Sequence, residues 1–190
     1  MPQSLKHIYQ TSLALFTDFY QLTMAYAYWK SGSRSQEAVF HLFFRHNPFK
    51  GGFAVFCGLK TAIEFIQQFR FTDTDLAYLK NQQDSAGNLI FEPAFLDYLK
   101  HMNFTCDVDA VPDGTVVFAG EPLVRIQGPI IQAQLLESAL LNIINFQTLL
   151  ATKAARIKIS SHHKQVIEFG MRRAQCKRLA AILSDACVER

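Results

Sequence analysis

The chain has 190 residues, 49% hydrophobic and 18% charged, and a net charge of +3 from 19 basic and 16 acidic side chains. This balance excludes a disordered polymer, and the charge is too mild to argue for nucleic acid. The length allows one or two domains with a core burying about 70% of the unfolded surface, and seventeen Phe make that core, or an interface, aromatic.

Thr17 can cap a helix running to about Lys30, with Gly32 as its stop. Leu22, Ala25, Tyr26 and Trp29 share one of its faces. Glu37 to His46 reads as a strand, β-prone and largely buried on both faces. The Pro and Gly of 47–52 predict a loop. Leu59, Ala62, Ile63 and Ile66 then recur at helical spacing over 58–69. Thr72 and Asp75 are spaced as a capping box opening another helix through Leu79. Residues 81–88 are polar loop, and Pro93 starts a short helix ending near Met102.

The period then changes. Residues 107–111, 115–118 and 123–127 read as short strands punctuated by Pro112-Asp113-Gly114 and Gly120-Glu121-Pro122. From about Ile130 to Ile157 the pattern is helical, with so little polar face in its middle that burial on most sides is expected. Val166 to Phe169 reads as one short strand followed by basic residues. This order suits an α+β domain leading into something further. A last strand without a partner in the remaining residues would leave its backbone unpaired, so the chain reads as unfinished at its C-terminus.

Cys57, Cys106, Cys176 and Cys187 form no C-x-x-C pair and read as reduced thiols. No apolar run of a secretory signal stands at the start, and no stretch approaches the ~18 apolar residues of a membrane span. A cytoplasmic location is expected.

Three constellations could carry chemistry. In Thr17-Asp18-Phe19-Tyr20-Gln21 a carboxylate sits in the first turn of a helix, where the dipole favours it; the plain alternative is a helix start with Phe19 and Tyr20 in the core. In Phe43-Phe44-Arg45-His46-Asn47-Pro48-Phe49, Arg45 at a strand end could reach a phosphate bidentately, or simply lie on the surface. In Glu168-Phe169-Gly170-Met171-Arg172-Arg173 an aromatic at a strand end stands beside two guanidinium groups. That pattern gives a stacking face and a phosphate clamp, or an ordinary strand end with solvated arginines. The β-rich stretch 111–128 has the rhythm of a biotinyl or lipoyl carrier domain, but no Lys lies between Met102 and Leu150 to be modified, so it reads as scaffold. His162 and His163 are adjacent and point different ways, which favours loop histidines over a metal site.

With these residues in view, the chain resembles the nicotinate phosphoribosyltransferase family. The stretches that carry the resemblance are Leu15 to Met24, Phe43 to Phe49, Pro112 to Leu123, Gln134 to Asn145, Ala151 to Arg156 and Glu168 to Gln175, in family order. The resemblance implies displacement of pyrophosphate from phosphoribosyl pyrophosphate by the nicotinate nitrogen, with magnesium present and ATP hydrolysis driving the equilibrium. It implies that Phe169 stacks on one face of the pyridine ring and Tyr20 on the other, with Asp18 beside it. Tyr20 would come from the neighbouring subunit, so a homodimer is implied. Arg172 would hold a phosphate, and Arg45 would approach the pyrophosphate from the partner.

The same resemblance divides the chain into an α+β domain at 1–130, a connecting helix at 131–160 and the start of an α/β (TIM-like) barrel at 161–190. Residues 176–190 do not resemble the family, and the family's later motifs, including its phosphorylated His, are not among these 190 residues. The expectation is a truncated product, inactive alone, with no catalytic residue and no metal ligand assignable. The alternatives are a non-catalytic domain that pairs with a full-length relative, and nicotinamide specificity.

Overall fold

The computed structural model describes residues 13–162 and 164–167. Two compact units divide them. The first holds the chain up to His41, Lys60–Asp109 and Arg125–Leu141; the second holds Leu42–Leu59, Ala110–Val124 and the chain from Asn142 on.

In the first unit, helix α1 spans Phe19–Lys30. Its N-cap is Asp18, one residue later than expected, and Asp18 makes no side-chain cap bond within the helix. The Thr17 hydroxyl is buried without a hydrogen-bond partner among the described residues. Gly32 follows the C-cap Ser31 with φ 79°, the left-handed turn that a helix end favours and Gly adopts without strain. Leu22 and Ala25 are buried, and Tyr26 and Trp29 pack beside them, so the expected face is the one that meets the core.

Helix α2 (Leu59–Gln68) follows. It buries Thr61, Ala62 and Phe65, whereas Ile63 is 41% exposed, so the buried stripe is rotated from the expected one. Helix α3 (Asp73–Lys80) opens on the capping box: the Thr72 hydroxyl accepts the Asp75 N–H, and the Asp75 carboxylate accepts the Thr72 N–H at 2.8 Å. Pro93 is the first residue of helix α4 (Pro93–Lys100). The core joining these helices is aromatic: Phe95 lies 5.1 Å from Tyr26 and 5.7 Å from both Trp29 and Phe91, centre to centre. Offset and edge-on ring pairs of this kind add to plain burial.

Strand β1 spans Glu37–Leu42. It ends four residues earlier than expected and is mostly exposed rather than buried on both faces, with Val39 at 46% and Phe40 at 37%. It forms one edge of a three-stranded sheet, with strand β3 (Asp107–Ala110) at the other edge and strand β5 (Val124–Pro129) at the centre; β-prone residues set the strand but not what covers its faces. Gly128 lets β5 pass Cys106, since a Cβ there would lie 2.6 Å from the Cys106 sulfur.

In the second unit, strand β2 (Ala54–Val55) pairs antiparallel with strand β4 (Val116–Val117). The expected long helix is two helices: α5 (Ile130–Leu135) in the first unit, and α6 (Glu137–Ser160), which starts there and continues through the second. In the second unit α6 supplies hydroxyls where a strand would supply amides. Thr152 Oγ1 accepts the Val55 N–H at 2.9 Å, and Thr148 Oγ1 both accepts the Cys57 N–H and donates to the Cys57 carbonyl, each at 3.1 Å. Backbone donors and acceptors in a core need partners, and these hydroxyls supply some of them. The burial expected of this stretch holds at Ala139, Leu140, Ile144 and Ala151, while Leu141, Phe146 and Ile157 are 40–47% exposed.

The described part of the expected last strand, Val166 and Ile167, belongs to no strand; Glu168 and Phe169 lie outside the described residues. The fold among the described residues is therefore mixed α/β with two small open sheets and no closed barrel.

Candidate functional site at the start of helix α1

Asp18 and Tyr20 lie together where the chain enters α1, at the end where the helix dipole is positive. The Asp18 carboxylate is occupied: Ser138 Oγ donates to it at 2.7 Å, and the Asp18 N–H donates back to the same oxygen at 3.3 Å. Tyr20 is 51% exposed, against the reading that would bury it in the core. Its hydroxyl accepts a 2.9 Å hydrogen bond from Gln21 Nε2. Phe16, Phe19 and Met24 are exposed on the same stretch, so the start of α1 carries an open aromatic face.

Beneath Tyr20 lies a polar cluster that sequence reasoning did not single out. Gln21 is buried; its Nε2 also donates to Glu137 Oε2 at 2.6 Å, and its Oε1 accepts from Gln134 Nε2 at 2.6 Å. Gln134 is itself buried, and its Oε1 has no partner among the described residues. A buried acceptor of this kind costs about 1–3 kcal/mol, which an aliphatic side chain would avoid. The signal in the sequence was faint: Gln134, Glu137 and Ser138 are polar residues interrupting the apolar run from Ile130, spaced for one helical face.

Arg45 belongs to the second unit. It lies past the end of β1 in a bend, and it is exposed. The segment around it is anchored at 2.8 Å by the Gly120 N–H donating to the Phe44 carbonyl. Just beyond, Phe49 and Lys50 have φ of 58° and 52°, a left-handed pair that ordinary side chains rarely adopt. Arg156 of α6 holds this turn: its guanidinium donates to the Phe49 carbonyl at 3.1 Å and lies 5.7 Å from the centre of the Phe49 ring. The two other expected site residues, Phe169 and Arg172, lie outside the described residues, as does His163 of the histidine pair. Among the described residues no group of three or more His, Cys, Asp or Glu could hold a metal ion. No helix among them is long and apolar enough to cross a membrane.

The mixed α/β fold of the described residues is shared with solved structures. Residues 15–145 match the family described as nicotinate phosphoribosyltransferase N-terminal domain, so the chain belongs to that family. It is 48% identical over 163 residues to nicotinate phosphoribosyltransferase of Bacillus subtilis, which covers 86% of this chain and 32% of that protein. The Caenorhabditis elegans protein of the same name is 45% identical, covering 85% of this chain and 28% of its own length. Human nicotinic acid phosphoribosyltransferase superimposes with a TM-score of 0.80 at 36% identity, over 91% of this chain and 34% of that one. A nicotinate-nucleotide pyrophosphorylase from Pyrococcus furiosus shares the fold, with a TM-score of 0.61 at 20% identity. The chain thus spans about a third of the length of the relatives it matches.

Proposed function

We propose that this chain supplies the N-terminal part of a nicotinate phosphoribosyltransferase. The reaction joins nicotinate to phosphoribosyl pyrophosphate, giving nicotinate mononucleotide and pyrophosphate with ATP hydrolysis, as a first step of NAD salvage in the cytoplasm. The observation that carries the reading is the family match across 15–145, together with the exposed Tyr20 set beside a hydroxyl-bound Asp18 at one helix start.

In this reading Tyr20 stacks on one face of the pyridine ring and Phe169 on the other. Stacking on an aromatic is worth about 1–3 kcal/mol per ring. Asp18 stands beside the ring with its carboxylate held by Ser138. Arg172 and Arg45 take the phosphate and pyrophosphate charge, for which a planar guanidinium is suited. Their work is positioning and charge stabilisation as C1 of the ribose gains cationic character. The open aromatic face of Phe16, Phe19, Tyr20 and Met24 supports presentation of Tyr20 to a second copy in a homodimer. The division at 1–130, 131–160 and 161–190, with 161–190 beginning a TIM-like barrel, belongs to the same proposal. Magnesium and ATP belong to the reaction, and among the described residues no group of three or more His, Cys, Asp or Glu could hold the metal.

The test joins residues 1–175 to the remainder of the Bacillus subtilis relative and assays nicotinate mononucleotide formation, with nicotinamide as the competing substrate. Turnover of nicotinate by the chimera and none by the 190-residue chain alone is expected. A folded, inactive chimera would reject the reading. Tyr20→Ala in the chimera should weaken nicotinate binding by about 1–3 kcal/mol, and an unchanged Michaelis constant and turnover would remove Tyr20 from the site.

A further inference from the structure

We infer that Gln21 is a positioning residue that holds Tyr20 by its hydroxyl oxygen and so reserves the phenol's own hydrogen for an anionic oxygen of a bound substrate. The inference rests on the placement of Tyr20 in the nicotinate site.

The orientation of the Gln21 amide is forced by chemistry. An ionised Glu137 offers only acceptors, so the Gln21 atom 2.6 Å from its Oε2 must be the nitrogen. That nitrogen has two hydrogens, and its other neighbour at hydrogen-bond distance is the Tyr20 hydroxyl at 2.9 Å. The nitrogen has no lone pair to accept with, so the phenol oxygen accepts and its O–H is left to donate elsewhere. On the other side, Gln134 Nε2 donates to Gln21 Oε1 at 2.6 Å and completes the clamp. Gln21 is 1% exposed and Gln134 3%, so both amides are fixed from within the first unit. Gln134 Oε1 has no partner among the described residues, so the clamp carries a buried acceptor. Tyr20, by contrast, is half in solvent. A rigid donor is thus presented at the surface by a side chain whose ring is also free to stack. The acceptor class is an oxygen anion: the carboxylate of a pyridine carboxylate, or a phosphate oxygen of the other substrate.

Two measurements test it. In the full 190-residue chain, the Tyr20 ring signals are identified by NMR as those lost in Tyr20→Phe. They should move in Gln21→Met and, by less, in Glu137→Ala, which changes an exposed residue. Signals unmoved in both variants would overturn the clamp, and Glu137→Ala alone decides it if Gln21→Met does not fold. In the active chimera, Tyr20→Phe should raise one Michaelis constant about 3–10-fold, as loss of one hydrogen bond would, with turnover retained. A rise for nicotinate assigns the carboxylate; a rise for phosphoribosyl pyrophosphate assigns a phosphate. Gln21→Met should raise the same constant and add nothing in the Tyr20→Phe background. Multiplying effects, or a loss of turnover alone, would overturn the inference. An inactive wild-type chimera would reject the proposed reaction, while the NMR arm would still decide whether Gln21 holds Tyr20.

Discussion

Ser138 binds Asp18 twice, donating its hydroxyl to the carboxylate at 2.7 Å and accepting the Asp18 N–H at 3.3 Å. The pair is 120 residues apart in sequence, and it ties the entry of α1 to the first turn of α6. Asp18 at an N-cap would ordinarily bond back into its own helix. Here Ser138 occupies the carboxylate instead, so the helix start is fixed by a tertiary contact.

Ser138→Ala should therefore cost about 0.5–1.5 kcal/mol of stability without changing the denaturant slope. Asp18→Ala should cost a similar amount, and the double variant no more than the larger single one. Urea titrations of the four proteins check this, and additive costs would show that the two residues act independently.

Thr148 and Thr152 of α6 satisfy backbone groups of Val55 and Cys57 and are almost wholly buried. Thr148→Val keeps the shape but removes two hydrogen bonds, those of its hydroxyl to the Cys57 N–H and carbonyl. A loss of about 1–3 kcal/mol is expected. Thr152→Val strands the Val55 N–H alone and should cost less. Serine at either site keeps the hydroxyl and should recover most of the loss, read by thermal melts.

Burial pushes the Cys106 thiol up to about 11, with the negative charge of Asp107 adding to it. The thiolate is the reactive form. At pH 8 only about one thiol in a thousand would be ionised at such a value, some hundredfold below an unshifted cysteine. Cys106 should react with Ellman's reagent far more slowly than it does in the unfolded chain. Equal rates in native and denaturing buffer would contradict the placement of this side chain.

In the 81–88 loop, the Asn88 N–H and the Ala86 N–H both donate to Asp84 Oδ1 at 2.9 Å. These bonds, that from the Asn88 backbone foremost, hold the Asp84 carboxyl below its ordinary value. The folded state thus favours the charged form. Its contribution is present above the ordinary carboxylate range and is lost as the pH falls through the lowered value. Asp84→Asn should leave a chain whose melting temperature falls less between pH 6 and pH 3. An unchanged or steeper acid dependence would show that Asp84 does not carry this part of it.

Much of the local structure was legible in the residues. The Thr72 and Asp75 capping box, the helix opening at Pro93 and the stop at Gly32 each depend on side chains within a few positions of one another, so spacing alone predicts them. The same holds for the family, whose matching stretches are continuous in the chain. Legibility failed where a distant element decided the outcome. The β-prone residues of β1 predict burial on both faces, but most of the strand is exposed, because propensity says nothing of what packs over a strand. The helical run from Ile130 hid a break at Leu136, because apolar periodicity passes through it unchanged.

The candidate site divides along the same line. The residue types of the candidate site and their order can be read along the chain: Asp18 and Tyr20 at a helix start, and Arg45 beyond a strand. Packing brings Ser138 to Asp18 and sets Gln21, Gln134 and Glu137 beneath Tyr20. The two differ in range. A cap, a turn or a helical stripe is fixed by the backbone over one or two turns, whereas a hydrogen bond between residues more than a hundred positions apart exists only once the apolar faces between them have packed.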